Sequence, residues 1–290
     1  MKILITGANG TIGADLVNHL SKDNFVYAFY RTYNLAVKKL KNKNIRWFRQ
    51  DLKNKIKINF KPDVVIHSVV THPFAKNRKY QDYIDSNIIA LKNVLEFCAK
   101  KKVNKFIYLS SFKIYGDISS KKHNFNNNFV NPDILGATKI LSEKIIEEQK
   151  INYINLRLPG VISYMIRDPR RPWLNSVITK LNRNLQIEIF NKNLFFNNVI
   201  DTFAIFRFIN FIIKKNRFKK GTIDFTASKP IKIKDIINFI KRKINSKSLI
   251  KFNNNPIQHY TISTKEFENK YKFKTASTAK ILDRYLNKFI

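Results

Sequence analysis

Cysteine is nearly absent from this chain: Cys98 is the single one among 290 residues. One thiol excludes an intramolecular disulfide framework, so a reducing, cytoplasmic setting is expected. Cys98 lies in an apolar helical pattern and reads as a buried structural thiol. Long apolar runs are missing too. None approaches the ~20 residues needed to cross a bilayer. The nearest, Phe203–Ile213, carries Arg207 and Asn210 and reads as a core-packing helix. Met1-Lys2 runs straight into Ile3-Leu4-Ile5-Thr6, which is not the pattern of a secretion signal. Acids are scarce: 20 Asp and Glu stand against 55 Lys and Arg, a net charge of +35. Such a field attracts phosphate groups on any carrier. The basic residues are nevertheless scattered among Asn, Ile and Phe; only Lys100-Lys101-Lys102 and Arg167/Arg170/Arg171 look local. No zinc-ligand spacing, nucleic-acid motif or internal repeat accompanies them, so neither a metal site nor a specific nucleic-acid partner is expected.

What is present is an alternation of apolar runs and helical patterns, the mark of a parallel sheet with crossover helices. Strands are expected at Lys2–Thr6, Phe25–Phe29, Ile45–Phe48, Asp63–His67, Lys105–Leu109 and Tyr153–Leu158. A late strand, Thr222–Thr226, is expected to return to the same sheet. Helices are expected over Thr11–Ser21, Asp85–Lys101 and Ala137–Gln149. The fold class is therefore α/β: a Rossmann-type doubly wound parallel sheet over residues 1–160. Residues 161–290 are expected to form mainly a smaller, discontinuous α/β substrate domain.

Gly7, Gly10 and Gly13 fall between the first strand and the first helix. A tight turn, backbone approach to a pyrophosphate and close helix–strand packing each call for glycine, and the first N–H groups of the following helix face the phosphates. The second strand ends at Tyr30-Arg31-Thr32. An acid there would hold the ribose hydroxyls of NAD; Arg31 instead suits a 2′-phosphate and favours NADP over NAD.

With these features the sequence resembles the extended short-chain dehydrogenases/reductases, the NAD(P)-dependent epimerase/dehydratase group. Further matches are Asp51-Leu52 near the adenine and Asp63–Val70 beneath the cofactor. Asn87 with Asn93-Val94-Leu95-Glu96, Leu109–Gly116 and Arg157-Leu158-Pro159-Gly160-Val161 match as well. Later landmarks are Asn198-Val199-Ile200-Asp201 and Leu282-Asp283-Arg284-Tyr285. The resemblance implies a cofactor set of Gly7, Asn9, Gly10, Thr11, Ile12, Gly13, Arg31, Asp51, Leu52, Ser68, Val69 and Lys139. It implies a nucleotide-sugar substrate, and a homodimer through the helices Asp85–Lys101 and Ala137–Gln149. Ser111 matches the active-site Ser/Thr that binds the reacting oxygen, and Lys139 the lysine that holds the nicotinamide ribose. The family's proton-transferring tyrosine would stand at position 135, where this chain has Leu135. Phe112 and Lys113 replace the acids that dehydratases carry after the Ser/Thr, which disfavours elimination of water.

Tyr115, Lys113 and His123 are candidate substitutes for the missing proton donor, although Lys113 and His123 read most simply as solvated loop residues. Arg167, Arg170 and Arg171 suit a diphosphate, or else form a charged surface loop. Two functions stay open. One is an NAD(P)-dependent nucleotide-sugar epimerase or reductase with altered proton transfer. The other is a non-catalytic NADP(H)-binding sensor or scaffold on the same fold.

Overall fold

The computed structural model describes residues 1–71, 79–118, 121–166 and 173–289. Seven parallel strands form its central sheet: β1 (Lys2–Thr6), β2 (Phe25–Tyr30), β3 (Ile45–Arg49), β4 (Val64–His67), β5 (Lys105–Ser111), β6 (Asn152–Leu158) and β7 (Gly221–Asp224). Their order is β7-β6-β5-β4-β1-β2-β3. The chain winds outward from β1 through β2 to β3, then returns to place β4 on the other side of β1. That reversal opens a crevice at the C-terminal ends of β1 and β4, where doubly wound sheets bind their ligands.

The period-two side-chain alternation of a strand divides the core into two layers. Ile3 and Ile5 of β1, Val26 and Ala28 of β2, Val64 and Ile66 of β4, and Ile107 and Leu109 of β5 face one side. They pack there with α1 (Thr11–Leu20), α4 (Thr202–Lys214) and α5 (Thr278–Phe289). Leu4, Tyr27, Phe29, Val65, Phe106 and Tyr108 face the other side, against α2 (Ala90–Lys100). Cys98 is buried in that second layer, and burial pushes its thiol up to about 12. The segment Phe203–Ile213 lies within α4, which buries Ala204, Ile205, Phe208, Ile209, Ile212 and Ile213. Among the described residues no helix is long and apolar enough to cross a membrane.

Two helices depart from the sequence expectation. α3 spans Ile134–Glu147 and so starts a turn before Ala137, because the Asp133 carboxylate accepts the Gly136 N–H at 2.9 Å and caps it. The helix expected over Asp85–Lys101 is interrupted. A short α-turn, Tyr80–Tyr83, leads into a π-helical turn, Ile84–Ile89, before α2 begins. The wider turn places Asn87 inward, 1% exposed. Its Oδ1 accepts the Thr71 N–H at 3.0 Å, its Nδ2 donates to Thr138 Oγ1 at 2.9 Å, and its carbonyl accepts from Ser142 Oγ at 3.0 Å. The extra residue thus joins the end of β4 to α3.

Beyond β6, short elements build a second layer of structure. The helix Trp173–Asn182 leads to the strand Ile187–Ile189, and the helix Ile233–Lys243 leads to the strand Ile250–Phe252. These two strands pair in parallel.

Candidate cofactor crevice and reaction site

Gly7 ends β1 with φ at +65°, and a Cβ placed there would lie 3.1 Å from Ser68 Oγ and 3.2 Å from Val69 Cγ2. Only glycine suits both the turn and the approach of the two chains. Ser68 Oγ donates to the Thr6 carbonyl at 2.7 Å, tying β4 to β1 at the crevice. Gly10 N–H donates to the Gly7 carbonyl at 2.9 Å and closes the turn. Gly10 begins α1 without a side-chain cap, and Gly10 and Thr11 are exposed. The opening amide groups of the helix, at Thr11, Ile12 and Gly13, are therefore left without a capping side chain, as an incoming phosphate requires. Asn9 Nδ2 holds the turn to the end of β2 by donating to the Thr32 carbonyl at 2.6 Å. Arg31 is exposed beside it.

Asp51 accepts the Lys53 N–H at 3.0 Å, and the carbonyl of buried Leu52 accepts from Asn93 Nδ2 at 2.8 Å. These residues follow β3 and accompany the same end of the sheet. Among the described residues, then, the turn after β1 and the uncapped first turn of α1 lie at the end of the sheet that Asp51 and Leu52 accompany. Gly10→Val places a Cβ about 3.1 Å from the Gly7 carbonyl, with branches over the exposed first turn. The Kd for NAD or NADP is expected to rise at least about tenfold, ~1.4 kcal/mol. Titration calorimetry, with circular dichroism as the check on folding, measures this.

At the end of β5, Ser111 Oγ accepts the Lys113 N–H at 3.2 Å and caps the 3₁₀ turn Phe112–Tyr115. α3 lies directly against this turn, since a Cβ at Gly136 would collide with the Lys113 carbonyl. Leu135, the residue before Gly136, is 3% exposed. Lys113 stays exposed and pairs with Asp133 at 3.3 Å. Lys139, one turn further along α3, is 1% exposed. Its Nζ donates to the Leu109 carbonyl at 2.8 Å and stands 4.3 Å from the Tyr108 ring centre. Burial lowers its pKa to about 7, against the opposing pull of the Glu143 carboxylate.

Behind these groups runs a buried polar chain. Ser110 Oγ donates to Glu143 Oε1 at 2.5 Å, and Arg157 pairs with Glu143 Oε2 through Nη2 at 2.8 Å. Arg157 Nη1 donates to the Tyr115 hydroxyl at 2.7 Å, and that hydroxyl donates to Asp224 Oδ1 at 2.9 Å. Asp224 Oδ2 lies 3.2 Å from His123 Nε2. His123 is therefore not a solvated loop residue. The short strand Lys122–His123 pairs with Thr261–Ile262 and draws the imidazole to full burial against Tyr115. The Tyr115 hydroxyl is engaged on both sides, and burial raises its pKa. Glu143, Asp224 and the pairing role of Arg157 were missed in the sequence. Glu143 had a readable signal, since it stands four residues after Lys139 on one helix face; Asp224 had none. Arg167, Arg170 and Arg171 lie outside the described residues.

His67, at the end of β4, is fully buried, its ring near-parallel to those of Phe106 and Tyr108 on the neighbouring β5. Its Nδ1 lies 2.8 Å from Thr6 Oγ1. Burial, with the Lys139 charge beside it, lowers its pKa from 6.5 to about 3. Between those values the unfolded chain binds a proton that the native state does not, so stability rises with pH across the window and is lost as pH falls toward 3. His67→Leu is expected to flatten that part of the stability–pH profile, measured by urea unfolding at stepped pH. An unchanged slope would assign the acid sensitivity to other groups.

The model of the NAD dependent epimerase/dehydratase family matches residues 3–195. The chain belongs to that family. It is 28% identical to Protein CapI of Staphylococcus aureus, over 58% of this chain and 55% of that protein. It is 29% identical to a dTDP-D-glucose 4,6-dehydratase of Dictyostelium discoideum, over 56% of this chain and 42% of that one. The match thus spans about half the length of these curated relatives. Among solved structures, the UDP-glucuronic acid 4-epimerase of Bacillus cereus in complex with NAD superposes with a TM-score of 0.80. That likeness covers 100% of this chain and 99% of the other at 20% identity, and it concerns the fold.

Proposed function

We propose that this member of the epimerase/dehydratase family acts on a nucleotide-activated sugar as an NAD(P)-dependent epimerase or reductase with altered proton transfer. The observation that carries the reading is the combination of an uncapped, glycine-built first turn of α1 with Ser111 at the end of β5 and Lys139 one helical turn after a buried Leu135. A nicotinamide dinucleotide in the crevice would supply hydride exchange at a sugar carbon. The chain's own residues would do the rest. The first turn of α1 and the bare backbone at Gly7, Gly10 and Gly13 would bind the diphosphate, with Asn9, Thr11 and Ile12 in the same turn. Asp51 and Leu52 would flank the adenine, and Ser68 and Val69 would form the floor. Ser111 Oγ would donate to the reacting oxygen, and Lys139 would orient the ribose. Leu135 carries no titratable proton at any pH, so the proton at the reacting oxygen must come from water or from another side chain.

Arg31 supports NADP over NAD. Arg31→Asp is expected to move the ratio of the two dissociation constants toward NAD by about tenfold or more, through repulsion of the 2′-phosphate and a new acceptor for ribose hydroxyls. A ratio that stays put would remove Arg31 as the selector. Arg170 and Arg171 are proposed to grip the substrate diphosphate, in keeping with guanidinium geometry. A homodimer is proposed through the outer faces of α2 and α3, where Ile134 and Leu141 are 41% and 48% exposed.

A second reading has its own support. Leu135 is apolar and Lys139 is bonded to a backbone carbonyl within the protein, as suits a scaffold that holds NADP(H) without turnover. One experiment separates the two. Bound nucleotide is identified after purification, and nicotinamide absorbance and sugar products are followed with a panel of UDP-, dTDP- and CDP-sugars. Turnover supports the enzyme, binding without turnover supports the scaffold, and failure to bind either dinucleotide ends both.

A further inference from the structure

Two turns far along the chain from the cofactor motif share one design. The helices Trp173–Asn182 and Ile233–Lys243 each end in a left-handed asparagine, Asn184 at φ +54° and Asn245 at φ +58°. Each closes with the same paired bonds. Asn184 N–H donates to the Leu181 carbonyl and Leu185 N–H to the Lys180 carbonyl, both at 3.0 Å. Asn245 N–H donates to the Arg242 carbonyl at 3.2 Å and Ser246 N–H to the Lys241 carbonyl at 3.0 Å. The turns lie side by side. Lys247 N–H donates to Asn184 Oδ1 at 2.7 Å, Ser246 Oγ donates to the Leu181 carbonyl at 2.6 Å, and Ile187 N–H donates to the Leu249 carbonyl at 3.1 Å.

Just after these turns stand two leucines in solvent, Leu185 at 49% and Leu249 at 60% exposed. The position of Leu185 after a left-handed cap accounts for a hydrophobic residue, yet half of it stays outside. Leu249 has no such role. Around them, residues 180–188 and 241–251 hold seven basic side chains, Lys180, Arg183, Lys241, Arg242, Lys243, Lys247 and Lys251, against one acid, Glu188. Lys243 is partly answered by Asp283 at 3.3 Å, and Lys241 donates to the Ser248 carbonyl while keeping its charge. Helix ends favour bases through the macrodipole, which explains Lys180, Lys241, Arg242 and Lys243. It does not explain Arg183, Lys247 and Lys251, which lie beyond the helices.

We propose that this edge is a peripheral docking surface for an anionic lipid bilayer, with Leu185 and Leu249 entering the headgroup boundary and the surrounding bases meeting lipid phosphates. A second copy of the chain would bring like charges together. A nucleic acid would be met by an array of flat rings or a groove, whereas Leu185 and Leu249 are aliphatic and the exposed ring near them, Phe252, has Lys192 Nζ 5.2 Å from its centre. Exposed aliphatic side chains in segments rich in bases match the layered chemistry of an anionic membrane surface.

The test uses the full chain with vesicles of equal parts phosphatidylglycerol and phosphatidylcholine. A protein of charge +35 will adhere diffusely to such vesicles, so the readouts are local. Arg183→Gln with Lys247→Gln is expected to lower the partition coefficient roughly 25-fold, about fivefold per base removed. Lys55→Gln with Lys57→Gln, an exposed pair elsewhere, should change it less than about twofold. Leu249→Trp should show a blue-shifted emission on the vesicles, and quenching by brominated lipid, beyond that of Trp47 and Trp173 in the parent. Leu185→Ser with Leu249→Ser should weaken binding while leaving the circular dichroism spectrum intact. Equal losses from the two glutamine pairs, or an unshifted Leu249→Trp emission on bound protein, overturn the proposal. So does tighter binding to RNA that depends on Arg183 and Lys247.

Discussion

Leu135→Tyr is expected to raise hydride-transfer turnover by about 10²–10⁴-fold, the range a positioned general acid/base contributes, or ~3–5 kcal/mol of barrier. The expectation rests on how little else would have to change. Ser111 caps the turn at the end of β5, and Gly136 holds α3 directly against that turn. A phenol introduced at position 135 therefore stands one residue before Gly136, which packs on the turn that Ser111 caps, and one helical turn before Lys139. Lys139, with its pKa lowered to about 7 by burial, is poised to respond when a phenol arrives near it. The substitution also has a cost, because Leu135 is 3% exposed and extra volume in a packed site costs typically ~1–3 kcal/mol. Turnover must thus be read with the melting curve. Pre-steady-state absorbance at the nicotinamide band, with a sugar nucleotide shown to bind, gives the chemical step. Folded protein that binds cofactor and sugar but gains no turnover would leave the scaffold reading standing and remove the missing proton as the sole defect.

The parts of this molecule that obey local rules were legible in the sequence. Glycine spacing after an apolar run located the tight turn between β1 and α1, because the turn at Gly7 admits no side chain beside Ser68 and Val69. Strands buried on both faces appeared as continuous apolar runs. The π-helical turn at Ile84–Ile89 was not legible, since its periodicity differs from an α-helix by a single residue within one turn. His123 was misjudged for a related reason. Its neighbours Lys121, Lys122 and Asn124 are exposed, and what buries it is a two-residue pairing with a segment nearly 140 positions later. The acidic end of the polar chain, Asp224, lies at the end of β7, and nothing in its local pattern marks it as a partner of Tyr115.

Replacing Arg157 by methionine is expected to cost about 3–5 kcal/mol of folding stability, the usual penalty for stranding one charge of a buried pair. That is a large share of the roughly 5–15 kcal/mol that holds a typical domain together. Arg157 is 6% exposed, and its guanidinium pairs with Glu143 through Nε and Nη2 and bonds the Tyr115 hydroxyl through Nη1. It is also flanked by the rings of Tyr115, Phe125 and Phe129 at 5.0–5.2 Å. Without it, Glu143 keeps, among the described residues, the Ser110 hydroxyl, and its field on Lys139 is no longer opposed by the guanidinium. Urea unfolding of Arg157→Met, Glu143→Leu and the double variant closes the cycle. The double variant should recover most of the loss, because an apolar pair of similar volume avoids the desolvation of both charges. A loss under about 1 kcal/mol for Arg157→Met would show that water reaches Glu143 and that the pair is not a buried one. Full recovery of stability together with weakened dinucleotide binding would separate the two roles proposed for this pair: offsetting the burial of its own charges, and setting the field around Lys139.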